Sequence, residues 1–214
     1  MYSFKIKTHH GYEQGRIFAW IGMISSIGFS IFITILPALL NEKLQSEILV
    51  GYYFAFIAAV SLLASLGTTI LLRKFSKVTV TKWALAVNVV AYLFLSIAAN
   101  VWQLLIFDVI RAICFTIFLV VLALFVRDFA KQNELTLAEG RYYLFINLGW
   151  IIGPFLGGFI AENFGNEGAF IFAGLTYLAS LILFWREHII IKNPHLNDIK
   201  EQGKNKFFQN IKIF

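Results

Sequence analysis

Six stretches of the chain, residues 17–40, 48–72, 83–99, 101–126, 142–161 and 169–185, are long, apolar and almost free of charge. A hydrocarbon core about 30 Å thick takes roughly 20 such residues per helical crossing. Inside that core every backbone N–H and C=O must find a partner within the protein, which favours helices for each stretch. One apolar run of this length could be the buried helix of a soluble domain, but six leave too little polar chain to cover them. Only 14% of residues are charged and 59% are apolar, far from the balance of a soluble protein. The expectation is an all-α polytopic membrane protein with six transmembrane helices.

The formal charge of +6 would fit nucleic acid as a partner if the basic residues formed a surface, so their placement decides. Lys5, Lys7 and Arg16 precede the first span, while Arg73, Lys74, Lys77 and Lys82 join the second to the third. Arg127, Lys131 and Arg141 join the fourth to the fifth, and six more lie in the tail from Arg186 onward. The opposite connections carry only Lys43, beside Glu42, Glu47, Glu162 and Glu167. This asymmetry predicts a multi-pass protein of the cell (inner or plasma) membrane, with both termini cytoplasmic and the lipid bilayer, not nucleic acid, as its partner. Trp83, Trp102 and Trp185 fall at span ends, where an amphipathic ring suits the headgroup layer. The first span is too long for the apolar core of a cleaved signal peptide and lacks a small-x-small site, so it is expected to be retained. Cys114 is the sole cysteine and the four histidines lie in the polar ends, so no metal or cofactor is expected.

The stretch "NLGWIIGPFLGG" (147–158) puts helix-weakening residues in mid-span. Gly149, Gly153 and Gly157 recur every four residues, and on a helix with about 3.6 residues per turn they line one narrow face without side chains. Helices in lipid associate largely by such close backbone approach. Pro154 lacks a backbone donor and displaces the carbonyl of Trp150, which needs another partner if the helix is to persist. Ser61, Ser65 and Thr69 repeat the spacing more weakly in the second span. A tight helix contact is the plainest use of these residues; a sliding surface between moving parts is the functional one.

These features together resemble the amino-terminal six-helix half of the major facilitator superfamily of secondary transporters. "GRYYLFINLGWIIGPFLGG" is similar to the family's fifth-helix antiporter motif, Gly-x8-Gly-x3-Gly-Pro-x2-Gly-Gly, with Gly140, Gly149, Gly153, Pro154, Gly157 and Gly158 in place. "LLIFDVIRAICF" resembles the fourth-helix motif, with Arg111 matching and Phe115 where a glycine is expected. "TILLRKFSKV" is similar to the loop between helices two and three, although Arg73 replaces its Asp and Ser76 its second Gly; Lys74 and Lys77 keep its basic character. Asp128 matches the acidic position that pairs with that loop, so the resemblance implies a cytoplasmic gate built from Arg73, Lys74, Lys77 and Asp128, with its ion pairs rewired. "TILPALLNE", with Pro37, adds a weaker match. The implied fold is one bundle of two inverted three-helix repeats, in which spans two and five correspond.

Asp108 and Arg111 are the charged residues well inside a span. Each would cost roughly 2.5 to 3.5 kcal/mol at a helix centre facing lipid, so both are expected to face inward. Their i, i+3 spacing lets them meet on one face, and a purely structural ion pair is the competing reading. The functional reading is that Arg111 borders the substrate path, as the resemblance implies, and that Asp108, the sole carboxyl inside a span, takes and releases the coupling proton. Asn88, Asn147 and Tyr92 are further polar groups at membrane depth, either lining that path or bonding between helices.

The expected organisation is a cytoplasmic segment (1–16), a six-helix bundle (17–185) and a basic cytoplasmic tail (186–214) similar to the family's central linker. The resemblance therefore implies a second six-helix bundle, whether the rest of a longer chain, a separate half or a homodimer mate. Gly-x4-Gly-Lys-Ser/Thr is absent and no nucleophile is paired with a base at membrane depth, which leaves no sign of an ATP-driven pump or an enzyme. The reading is a proton-coupled exporter of small molecules, with uptake by symport, or a non-transporting scaffold or remnant, as the alternatives.

Overall fold

The computed structural model describes residues 6–130 and 135–186, with side chains from Ile17 onward. Every element among them is a helix. The helices are α1 (Ile6–Leu44), α2 (Glu47–Lys74), α3 (Lys77–Ser96), α4 (Val101–Phe129) and a 52-residue stretch, Leu135–Arg186. At about 1.5 Å per residue that last stretch would run some 78 Å, more than twice the thickness of a bilayer core. It does not run straight. Gly165 has φ 72° and ψ 175°, a left-handed region that side chains with a Cβ rarely adopt, and the chain reverses there. We number residues 135–164 as α5 and 166–186 as α6.

Contacts with α1 establish the reversal. On α5, Gly149 faces Met23 and Ser26, Gly153 faces Ile27 and Ser30, and Gly157 faces Ile31, so numbers rise together and the helices are parallel. On α6, Phe170 meets Phe32, Tyr177 lies by Gly28 and Ser180 bonds Ser25, so the numbers run oppositely. The 52-residue stretch is therefore two antiparallel helices, and the described residues form six helices in all.

The apolar runs mark where lipid lies, and the helices extend past them. Ser76 caps α3 by accepting a hydrogen bond from Thr79 N (3.1 Å), so α3 starts at Lys77, six residues before the apolar run at Trp83. Asn100 caps α4 through Gln103 N (2.9 Å), and Gln103 Oε1 in turn accepts from Ala99 N (2.9 Å). These side chains satisfy donors that a helix start leaves free. Helix α1 already runs from Ile6, so most of the expected 1–16 segment continues the first span as helix. The expected tail, 187–214, lies outside the described residues.

Exchanging α1 with α4, α2 with α5 and α3 with α6 carries each main contact onto another. The α1–α5 contact maps onto α4–α2 and α1–α6 onto α4–α3, while α1–α4 and α3–α6 map onto themselves. This is the pattern of two inverted three-helix repeats. The match is unequal. Helix α5 is seated on α1 along its glycines, but α2 buries only Tyr53, Ile57 and Thr68 of its 28 residues. The expected small-residue face Ser61, Ser65, Thr69 is displaced: Thr68 is buried and Thr69 exposed.

Candidate functional site

Helix α4 is buried at Leu104, Asp108, Arg111, Ala112 and Phe115, a helical stripe that carries two charges into the bundle interior. Asp108 and Arg111 are 1% and 2% exposed. Arg111 donates from Nε to Asp108 Oδ1 at 2.7 Å, and its Nη2 lies 2.6 Å from the same oxygen. The other oxygen, Oδ2, accepts from the Tyr53 hydroxyl of α2 at 2.9 Å. Both carboxylate oxygens are thus engaged, which a buried charge requires if it is to stay ionised.

The guanidinium is also framed by aromatic rings. Its carbon lies 4.3 Å from the Phe32 ring centre and 5.3 Å from that of Phe29, within the range in which a cation is attracted to a ring face. Phe29 stacks on Phe115 at 4.1 Å, so the phenyl that stands where the family motif has glycine fills space beside the guanidinium. Phe115 meets Tyr177 edge-on, and Tyr177 stacks on Tyr92 at 5.1 Å. Arg111 Nη1 and the hydroxyls of Tyr92 and Tyr177 are buried beside one another, with no well-formed hydrogen bond among them. Side chains from α1, α2, α3, α4 and α6 therefore converge on one polar centre in an apolar bundle.

The other expected site residues fall at varying distances from this centre. Asn88, fully buried, lies one turn from Tyr92 on α3; its Nδ2 bonds the Ala84 carbonyl of its own helix (2.8 Å) and its Oδ1 has no partner. Asn147 is exposed on α5 and is not brought to the pair. At the opposite end of α4, Lys77 Nζ and Asp128 Oδ2 pair at 2.6 Å, and Arg127 pairs with Glu139 of α5 at 2.7 Å. Arg73 and Lys74, at the end of α2, are exposed. Sequence reasoning missed Tyr53, Tyr177, Phe29 and Phe32, because nothing in their local pattern says which helix each will meet.

The glycine motif divides in two. A Cβ on Gly149 would lie 2.6 Å from Met23 O, and one on Gly153 2.5 Å from Ser30 Cβ. One on Gly157 would be 3.3 Å from Ile31 Cα, whereas those on Gly140 and Gly158 would meet nothing within 4 Å. The groove is filled by α1 of the same bundle. That approach resolves the Pro154 problem: Ser30 Oγ donates to the Trp150 carbonyl at 3.1 Å, supplying the partner that the proline removes. Pro154 remains within the helix.

An all-helical bundle of membrane-spanning length, built as inverted repeats around a buried ion pair, has the architecture of half a secondary transporter. The family model of the Major Facilitator Superfamily matches residues 18–213, and the chain belongs to that superfamily, whose members are transporters and not enzymes. Multidrug resistance protein 1 of Bacillus subtilis (strain 168) is 27% identical over 180 residues, covering 84% of this chain and 46% of that protein. The chain thus spans about half the length of that relative. The crystal structure of the POT family transporter PepTSo superposes with a TM-score of 0.67 at 20% identity, over 81% of this chain and 37% of that one. This likeness concerns the fold.

Proposed function

We propose that the chain is the amino-terminal bundle of a proton-coupled exporter of small molecules, in the cell membrane with both termini cytoplasmic. It works against a second six-helix bundle, to which the tail at 186–214 leads. The observation that carries this reading is the enclosed Asp108–Arg111 pair, with Tyr53 on the second carboxylate oxygen. Asp108 is the acid that takes and releases the proton, and Arg111 is the charge that its ionised form holds. A proton on Asp108 frees the guanidinium to turn toward the substrate path, in which Asn88 and Asn147 contribute further polar contacts. Lys77–Asp128, with Arg73 and Lys74 nearby, closes the cytoplasmic end, and the Gly149, Gly153, Pro154, Gly157 face keeps α5 against α1 while the bundle rocks. The name of the Bacillus relative supports export of drug-like solutes.

The test is solute movement in everted membrane vesicles from cells producing the protein. An imposed proton gradient, acid inside, should drive uptake of lipophilic drugs into the lumen. Asp108→Asn and Arg111→Ala should each abolish it while membrane levels persist. Unchanged flux in both variants removes the site assignment, and accumulation driven only in right-side-out vesicles replaces export by symport.

A further inference from the structure

The tyrosine that completes the Asp108 shell comes from the least embedded helix. Among the described residues, the Tyr53 hydroxyl makes the hydrogen bonds that α2 sends from membrane depth to another helix: to Asp108 Oδ2 at 2.9 Å and, more weakly, to the Leu104 carbonyl at 3.4 Å. Thr68, the other buried polar group of α2, bonds the Ala64 carbonyl of its own helix, and Ile57 is apolar. Two acceptors within reach of one hydroxyl, one of them ionisable, make a two-position contact.

We propose that Tyr53 is a positioning residue that converts the protonation of Asp108 into a loosening of α2. This rests on the reading of Asp108 as the proton carrier. With Asp108 ionised, Tyr53 O–H donates to Oδ2, a charge-assisted bond and so a strong one. A proton arriving at Oδ2 makes that oxygen a donor, and two donors cannot face each other. Tyr53 then accepts from the carboxyl O–H and turns its own proton toward the Leu104 carbonyl. The contact with the Leu104 carbonyl is kept and the bond at Oδ2 changes from charge-assisted to neutral, so the number of hydrogen bonds is unchanged and their combined strength falls. The groups around Asp108 are Arg111 on its own helix and Tyr53 on α2; beyond Arg111 stand Tyr92 of α3 and Tyr177 of α6, and α1 presents the rings of Phe29 and Phe32. No second carboxylate among the described residues shares the centre.

The magnitude follows from the difference between a charge-assisted and a neutral hydrogen bond, on the order of tenfold in the population of α2 detached from α4. It can be read without any substrate, in the intact protein in liposomes, as a spin-label distance. Gly51→Cys, on an open side of α2, and Ile106→Cys, exposed on α4, form the reporting pair in a Cys114→Ala background. Val90→Cys on α3 with Ile106→Cys is the reference. Acidification should add a longer distance to the α2–α4 pair and leave the α3–α4 pair unmoved. Asp108→Asn, permanently neutral, should give the longer distance at every pH, and Tyr53→Phe should be equally insensitive to pH. A wild-type pH response surviving in either variant overturns the proposal, and Asp108→Asn decides alone if Tyr53→Phe does not fold. A chain that shows this response but moves no solute refutes the exporter reading and leaves the tyrosine contact standing; flux without the response does the reverse.

Discussion

Gly153 and Gly158 lie little more than one helical turn apart on α5, and replacing each by alanine should shift stability in opposite directions. At Gly153 the new Cβ would sit 2.5 Å from Ser30 Cβ, 2.8 Å from Ser30 Oγ and 2.9 Å from the Ile27 carbonyl. Carbon atoms prefer about 3.5 Å or more, so α1 and α5 must part by about 1 Å. That stretches the 3.1 Å bond from Ser30 to the Trp150 carbonyl to about 4 Å, past any useful hydrogen bond. Losing an interhelical bond in a membrane costs about 0.6 kcal/mol on average and up to about 1.7, and overpacking adds about 1 to 3. The gain in helix propensity from Gly to Ala returns at most about 1 kcal/mol. The net expectation for Gly153→Ala is a loss of about 1 to 3 kcal/mol. Gly158→Ala meets nothing within 4 Å and keeps only the propensity gain. Reversible unfolding in mixed micelles by titration with a denaturing detergent measures both. A Ser30→Gly background, which removes the nearest two atoms, should relieve part of the Gly153→Ala loss. Equal effects at the two positions, or no relief by Ser30→Gly, would refute the seating of α5 on α1.

Two further outcomes test the architecture and the centre. Ser25→Cys with Ser180→Cys, in a Cys114→Ala background, should crosslink readily under mild oxidation because the native hydroxyls are 2.9 Å apart; no crosslink would mean that α6 does not run back along α1. Arg111→Met alone should destabilise the bundle by about 3 to 5 kcal/mol by stranding a buried carboxylate, while Arg111→Met with Asp108→Leu should recover most of that loss. Detergent unfolding of the three proteins reads this directly, and a double variant no more stable than the single one would contradict the pair.

Much of the bundle was legible because bilayers impose simple rules. Hydropathy located six lipid-crossing segments, and the spacing of Gly149, Gly153 and Gly157 announced a close helix contact. Hydropathy reports the depth of lipid, however, and not the end of a helix. For that reason α3 was expected at Trp83 when its cap is Ser76, and a connection was expected across 162–168 where Gly165 alone turns the chain. The spacing of Asp108 and Arg111 gave their mutual contact, since i, i+3 neighbours meet on any helix. It could not give Tyr53, which comes from 55 residues earlier in the chain; such partners follow from how helices pack. Pro154 similarly implied an unpaired carbonyl at Trp150, but only the packed bundle names Ser30 as its donor.

The two repeats solve the same packing problem by different chemistry, and the difference bears on which helix is free to move. Helix α5 meets α1 backbone to backbone, through glycines that leave no room for even a methyl group and a serine that satisfies the carbonyl freed by proline. Parting those helices sacrifices many dispersion contacts at once, so the pair behaves as one body. Its counterpart, α2 against α4, has no such groove: an added Cβ at Gly51 or Gly67 meets nothing within 4 Å. There the hold comes from a few buried side chains and from one hydroxyl set on an ionisable carboxylate. A contact of that kind has two discrete states, since a carboxylate either carries a proton or does not, whereas a packed groove has only one. With Asp108 as the proton carrier proposed above, the inverted symmetry places a rigid joint on one side of the bundle and a switchable one on the other, with the charge that distinguishes its states enclosed between them.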